Sequence, residues 1–190
     1  MTNSFNTGPG VGQKLIIVNE FKCAVKQCDN MKLDKAQKAE LAGSSEPCAT
    51  LGTMKHECVK NKMEGRPGTL SERSFDTAAS PPTLLPGRSF WGAWRSMKAI
   101  CKAAGQTYVK GRMRRPDLVI GSGQPPQDVY DAKFPCSRSV KRGAFKGRNT
   151  FPSANKAGKL VGGQKEGYRK IAGGGKVKAV SPADARTTRC

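Results

Sequence analysis

Arg115-Pro116-Asp117-Leu118-Val119-Ile120, a turn GSGQPPQ over 121–127, and then Asp128-Val129-Tyr130-Asp131-Ala132-Lys133-Phe134-Pro135 form the stretch that decides the fold. Two short β-rich runs separated by Gly and Pro residues predict a β-hairpin with a long loop. Successive strand side chains point to opposite faces. Asp131 and Lys133 therefore share one face, while Tyr130, Ala132 and Phe134 share the other, which is the natural core face. A hairpin symmetric about Gln124 sets Asp117 opposite Asp131, with Cβ atoms about 4.5–5.5 Å apart. A slip of one residue would put them on different faces.

Two carboxylates that close repel each other unless one is protonated or a cation lies between them. A hard divalent cation, Mg²⁺ or Mn²⁺, is the expected occupant, because it takes oxygen ligands and keeps several waters. Lys133 lies beside the pair. An ammonium there can hold a scissile phosphate, position the attacking water and stabilise the charge that builds on phosphorus. The bland alternative is a surface hairpin in which Lys133 screens two aspartates, since an isolated D-x-K is common.

Working outward from the hairpin, residues 1–13 read as a loose tail, and Leu15–Val18 as a short strand. Residues 31–42 and 53–63 read as helices, the second with Thr53 as N-cap. Residues 64–88 read as a long loop with four prolines, long enough to be functional or wrapping. Phe90, Trp94, Met97, Ile100 and Cys101 step by threes and fours, which predicts a helix over 90–104. A strand is expected at 107–110, a helix at 162–172 interrupted by Gly167, and a strand at 176–180.

Composition bounds the function. The 190 residues carry 34 Lys+Arg against 14 Asp+Glu, a net charge of +20, which points to a polyanionic partner, most often nucleic acid. Between residues 133 and 178 there are 13 Lys/Arg and one acid, Glu166, so more than half of the excess follows Lys133 directly. Lys141, Arg142, Lys146, Arg148, Lys165 and Arg169, interleaved with Phe145, Phe151 and Tyr168, suit a phosphate-tracking surface with stacking. Arg114 and Arg115 continue the same field ahead of Asp117. Neutralising about six phosphates would give a salt slope near −5, at roughly −0.9 per phosphate. Hydrophobic residues are only 36%, so the core is modest. No apolar run approaches the roughly 20 residues of a membrane span. Leu15–Val18 is also too short for a signal-peptide core, and both features point away from a membrane or ordinary secreted protein. The seven cysteines include no CxxC pair. They are compatible with free thiols, with one or two disulfides, or with a zinc cluster on Cys23, Cys28, Cys48, His56 and Cys58.

Pro116-Asp117…Asp131-Ala132-Lys133 resembles the PD-(D/E)XK nuclease superfamily. Gln164-x-x-x-Tyr168 is similar to the Gln-x-x-x-Tyr helix motif of several of its branches, including the virus-type replication-repair nucleases, and this spacing puts both side chains on one helix face. YDAKFPC preceded by RPDLVI also resembles nuclease toxins delivered by type VI secretion and related polymorphic toxins. The motifs fill a few dozen positions within about residues 50–180. The resemblance implies an α/β fold with a restriction-endonuclease-like αβββαβ core over 51–181. Residues 1–50 would be an N-terminal tail and helical extension, and 182–190 a C-terminal tail. It implies a Mg²⁺-dependent, largely non-specific DNase with Asp117 and Asp131 on the metal, Lys133 at the phosphate, and Gln164 and Tyr168 in support. Many members add an acid from the first core helix. Glu57 is the candidate here, with Glu72 as the alternative. Asp131 stands where Glu is commoner. A toxin of this type implies an acidic cognate immunity protein, and a bacterial chain made in one cytoplasm and delivered to another. Two other readings stay open: a basic nucleic-acid-binding protein without catalysis, and a repair or mobile-element nuclease of the same fold.

Overall fold

Ile17, Phe21, Ala24, Val25 and Cys28 recur at helical spacing and form the buried stripe of α1 (Val11–Asp29). They do so in a computed structural model that describes residues 9–86, 90–108, 112–135 and 162–190. The strand expected at Leu15–Val18 is thus part of a helix. The β-branched run is real, but Leu15 and Ile16 are exposed and only Ile17 belongs to the stripe. The helix α2 (Lys35–Gly43) starts at Asp34, whose side chain accepts from the Gln37 N–H while Gln37 caps Asp34 in return. The next helix, α3 (Pro47–Met63), begins at Pro47 rather than at Thr53, because proline at the first helical position loses no bond it could have made.

The stretch 64–86, which reads as loop, contains three very short strands: β1 (Thr69–Ser71), β2 (Phe75–Asp76) and β3 (Thr83–Leu84). There follow α4 (Phe90–Ala103), β4 (Met113–Arg114), β5 (Leu118–Ile120), β6 (Asp128–Ala132), α5 (Gly162–Ala172), β7 (Val177–Val180) and a 3₁₀ turn at Pro182–Ala185. Of the strand expected at 107–110, residues 109 and 110 lie outside the described residues, and 107 and 108 are not strand.

The main sheet has the order β1-β5-β6-β7, with β1, β5 and β6 antiparallel and β7 parallel to β6. Along the chain the main-sheet strands come as β1, β5, β6 and β7, with β2, β3, α4 and β4 between the first two and α5 between the last two. Between β1 and β5 the chain builds a second sheet, β3-β2-β4, beside α4. Leu85, Ala93, Met97, Cys101 and Met113 form the small core there, and Arg112 forks onto the buried Asp76. The β5–β6 hairpin has the expected register, with Leu118 opposite Tyr130 and Ile120 opposite Asp128.

The sheet is covered on both faces. Leu118, Ile120, Tyr130, Ala132 and Val180 pack with Phe21, Val25, Cys28, Val59 and Met63 of α1 and α3. Val119 and Val129 pack with Tyr168, Ile171 and Ala172 of α5 and with Phe75. Full burial of each large apolar side chain contributes about 1.5–3 kcal/mol. The boundary expected at residue 50 is therefore not a seam in the packing, because α1 supplies core residues to the same cluster as β5 and β6. Within the C-terminal tail after 181, the 3₁₀ turn buries Ala185 and packs on α1. Gly167 does not interrupt α5. The stem of Arg114 lies across it, and a Cβ there would stand 2.6 Å from Arg114 Cγ.

Disulfides join Cys23 to Cys190 and Cys28 to Cys58, and Cys48 is disulfide-bonded as well. The zinc cluster considered for Cys23, Cys28, Cys48, His56 and Cys58 is overturned, because its thiolates are spent on sulfur–sulfur bonds. Disulfides persist in oxidising surroundings, so this is the fold of an oxidised chain. Among the described residues, Cys101 is a free, buried thiol. No helix there is long and apolar enough to cross a membrane.

Candidate active site

The hairpin register carries Asp117 to the start of β5 and Asp131 to the end of β6, both almost fully buried. Asp117 is the more heavily bonded. One oxygen lies 2.7 Å from Nδ1 of His56, and the other accepts the Ala132 N–H at 2.5 Å. Burial favours the neutral acid, but the His56 charge and these bonds outweigh it and hold Asp117 below the usual aspartate range. His56 responds in the opposite sense. Burial disfavours its charged form, yet the Asp117 carboxylate pushes it up to about 9.

Glu72 completes this group. It sits just past β1 with a left-handed backbone (φ 51°), and its N–H donates to the Asp117 carbonyl at 3.1 Å. Its carboxyl stands 2.7 Å from Nε of Arg115 and shares a hydrogen bond with the Asp117 carboxylate. Burial, then that bond, then the Asp117 charge push Glu72 up to about 8. Ligand atoms of His56, Glu72 and Asp117 all lie within 4.8 Å of one another.

Asp131 is held from the α5 side. The Tyr168 hydroxyl lies 2.8 Å from one carboxylate oxygen, and Gln164 Nε2 is 3.5 Å from the other. Gln164 also donates to the Tyr168 oxygen at 3.0 Å and accepts from Lys133 Nζ at 3.1 Å. Lys133 Nζ forms an ion pair with Asp131. Burial and the Asp117 charge push Asp131 up to about 6, against the pull of Lys133. Thus Asp117, Asp131, Lys133, Gln164 and Tyr168 meet in one constellation, and Gln164 and Tyr168 share a helix face as their spacing requires.

Several expected residues stand elsewhere. Glu57 is corrected: one residue past His56 the helix has turned by about 100°, so Glu57 is exposed and pairs with Lys60 at 2.8 Å. The site acid outside the hairpin is Glu72, the alternative. Arg114 and Arg115 are corrected as backbone-binding residues. Arg114 donates to the Gly163 carbonyl at 2.8 Å, and Arg115 is committed to Glu72. Lys165 and Arg169 are exposed on α5. Lys141, Arg142, Lys146 and Arg148 lie outside the described residues.

The sequence hid the His56–Asp117 contact, because 61 residues separate the partners and no local pattern links them. The one available signal was that the chain's single histidine falls in a helix ahead of the sheet. Phe134 packs edge-on against its ring at 5.3 Å and helps fix its orientation.

A divalent cation suits the donors present. Carboxylates gathered this closely are in the arrangement a cation relieves, and one imidazole among oxygen donors favours Mn²⁺ over Mg²⁺. Compared with protein-family models, curated proteins and solved structures, the chain matches none.

Proposed function

We propose that this chain is a metal-dependent nuclease of the PD-(D/E)XK type, hydrolysing phosphodiesters of DNA with little sequence selectivity. The observation that carries the reading is that Lys133 and two buried aspartates converge where α5 adds Gln164 and Tyr168. The net charge of +20 supports a polyanionic substrate.

His56, Glu72 and Asp117, with Asp131 alongside, would hold the cation, which supplies polarisation of a phosphate oxygen and a more acidic bound water. The remaining work falls to side chains. An ammonium has three donors. Asp131 and Gln164 engage two on Lys133, which leaves one to hold a non-bridging phosphate oxygen and offset its growing charge. Tyr168 and Gln164 fix the Asp131 carboxylate so that it does not swing toward solvent. In the reaction a water oxygen bonds to phosphorus and one P–O bond to a sugar oxygen breaks. The water releases a proton to solvent and the departing oxygen takes one up.

By the resemblance of its motifs, the biological role is that of an antibacterial toxin restrained by an acidic immunity protein. A basic surface would recruit such a partner quickly by charge.

The test is cleavage of plasmid and of RNA, side by side, with Mn²⁺, with Mg²⁺ and with EDTA, repeated with Asp131→Ala and Lys133→Ala. Cleavage by the unmodified chain with metal, lost in EDTA and in both variants, is expected. Intact plasmid and RNA under all conditions, despite tight binding, would leave a nucleic-acid-binding protein without catalysis.

A further inference from the structure

A groove of about 210 Å³ runs between the last turns of α3 and strand β1, lined by Lys60, Glu64, Gly65, Thr69, Ser71 and Arg73 among others. The same two elements build the candidate site. His56 precedes Lys60 by four residues on α3, so the two share a helix face about one turn, 5.4 Å, apart. On the other wall, Glu72 stands between Ser71 and Arg73, and the Ser71 hydroxyl donates to the Asp117 carbonyl at 3.3 Å. The groove thus begins one helical turn beyond His56 on α3, and on its other wall Ser71 and Arg73 flank Glu72 in sequence.

Its chemistry is that of an oxyanion receptor. Among the described residues, Arg73 makes one weak bond, Nη2 to the Leu85 carbonyl at 3.4 Å, and its buried Nε has no hydrogen-bond partner. A guanidinium with most of its donors unspent is matched by a bidentate phosphate, and a buried unmet donor is costly to leave so. The Lys60 ammonium is held by Glu57, which is more than half exposed. Such a surface pair contributes little and is readily exchanged for a phosphate. Glu64 is the acid among the lining residues, set against two cations.

We infer that this groove is a binding subsite for a phosphate of the nucleic-acid backbone neighbouring the one held at the Asp117–Asp131 site, with Arg73 and Lys60 as its anchors. This rests on the nuclease reading and adds to it the path by which the substrate strand leaves the site.

The experiment measures anisotropy of a short fluorescein-labelled DNA duplex in Ca²⁺, titrated over a range of salt. Circular dichroism checks that each variant is folded. Arg73→Ala and Lys60→Ala are each expected to weaken binding about tenfold. Each should also reduce the salt slope by about 0.9, the increment for one phosphate. Arg73→Lys should retain the slope while losing part of the affinity, and Glu64→Gln should tighten binding. Lys38→Ala, an exposed lysine on α2, controls for the loss of one charge anywhere. A separate titration without Ca²⁺ adds inorganic phosphate alone: if phosphate binds the unmodified chain and not Arg73→Ala, yet leaves duplex affinity unchanged, the groove takes free phosphate and the backbone assignment is overturned. If the unmodified chain binds the duplex but the groove variants behave like Lys38→Ala, the subsite is overturned and the nuclease reading stands. If the unmodified chain does not bind the duplex at all, both fall.

Discussion

The two faces of the main sheet are made by alternate residues of the same strands, yet they are built for opposite purposes. Leu118, Ile120, Tyr130 and Ala132 look toward α1 and α3, into an apolar layer with the Cys28–Cys58 bond at its edge. Asp117, Val119, Val129 and Asp131 follow the other parity, toward α5, where Tyr168 and Gln164 present polar atoms instead of methyl groups. One face lowers the energy of the fold. The other carries buried carboxylates, and burial pushes Asp131 up to about 6. A sheet can carry such a face only if its back is over-determined, because a buried charge costs several kcal/mol that packing elsewhere must supply. The faces meet at His56, which rises from the α3 layer to grip Asp117.

The largest expected break in this comparison is Lys133→Ala. It should lower cleavage about 10²–10³-fold while the midpoint of thermal unfolding moves by a few degrees at most. A large fall in stability would mean that the polar face holds the fold as well. The complementary change is the double variant Cys28→Ser with Cys58→Ser. Loss of a native disulfide typically costs about 2–5 kcal/mol, read here as a lower denaturant midpoint. Because α3 carries His56, cleavage should fall with it below the midpoint, and unchanged cleavage would separate the two faces completely.

A smaller effect is expected of Tyr168→Phe, which removes the hydroxyl on Asp131 and keeps the buried ring. Cleavage should fall about 10–100-fold, as when a ligand loses its outer hydrogen bond. The gentlest probe is pH. His56, Glu72 and Asp131 are all raised, to about 9, 8 and 6, so at neutral pH the metal-free site retains protons that a cation must displace. Apparent Mn²⁺ affinity by calorimetry should therefore rise with pH across about 6 to 9 and level off beyond. The gain is up to about tenfold per pH unit for each proton displaced. An affinity flat over that range would remove these groups from the metal site.

How much of this was legible from the sequence follows the range of the signal. The hairpin register was readable, because alternation and the glycine–proline turn are local and the core face fixes the phase. Gln164 and Tyr168 were readable for the same reason, at four residues' spacing on one helix. Strands β1, β2 and β3 were not, since segments of two or three residues carry no period and the prolines around them read as loop. Leu15–Val18 misled because four apolar residues weigh more to the eye than Ile17, Phe21, Val25 and Cys28 spread over three turns. Glu72 and His56 are held by partners 43 to 61 residues away, and Arg115, which looked available to a phosphate, is held by Glu72.

The Cys23–Cys190 bond spans 167 residues of sequence and closes almost the whole chain into a ring. Residues 1–22 lie outside this ring, and the ring itself has no free end. Any channel that admits one extended strand at a time would have to pass two strands abreast, or wait until that bond is reduced. Unfolded passage through such a channel therefore requires that the bond form afterwards.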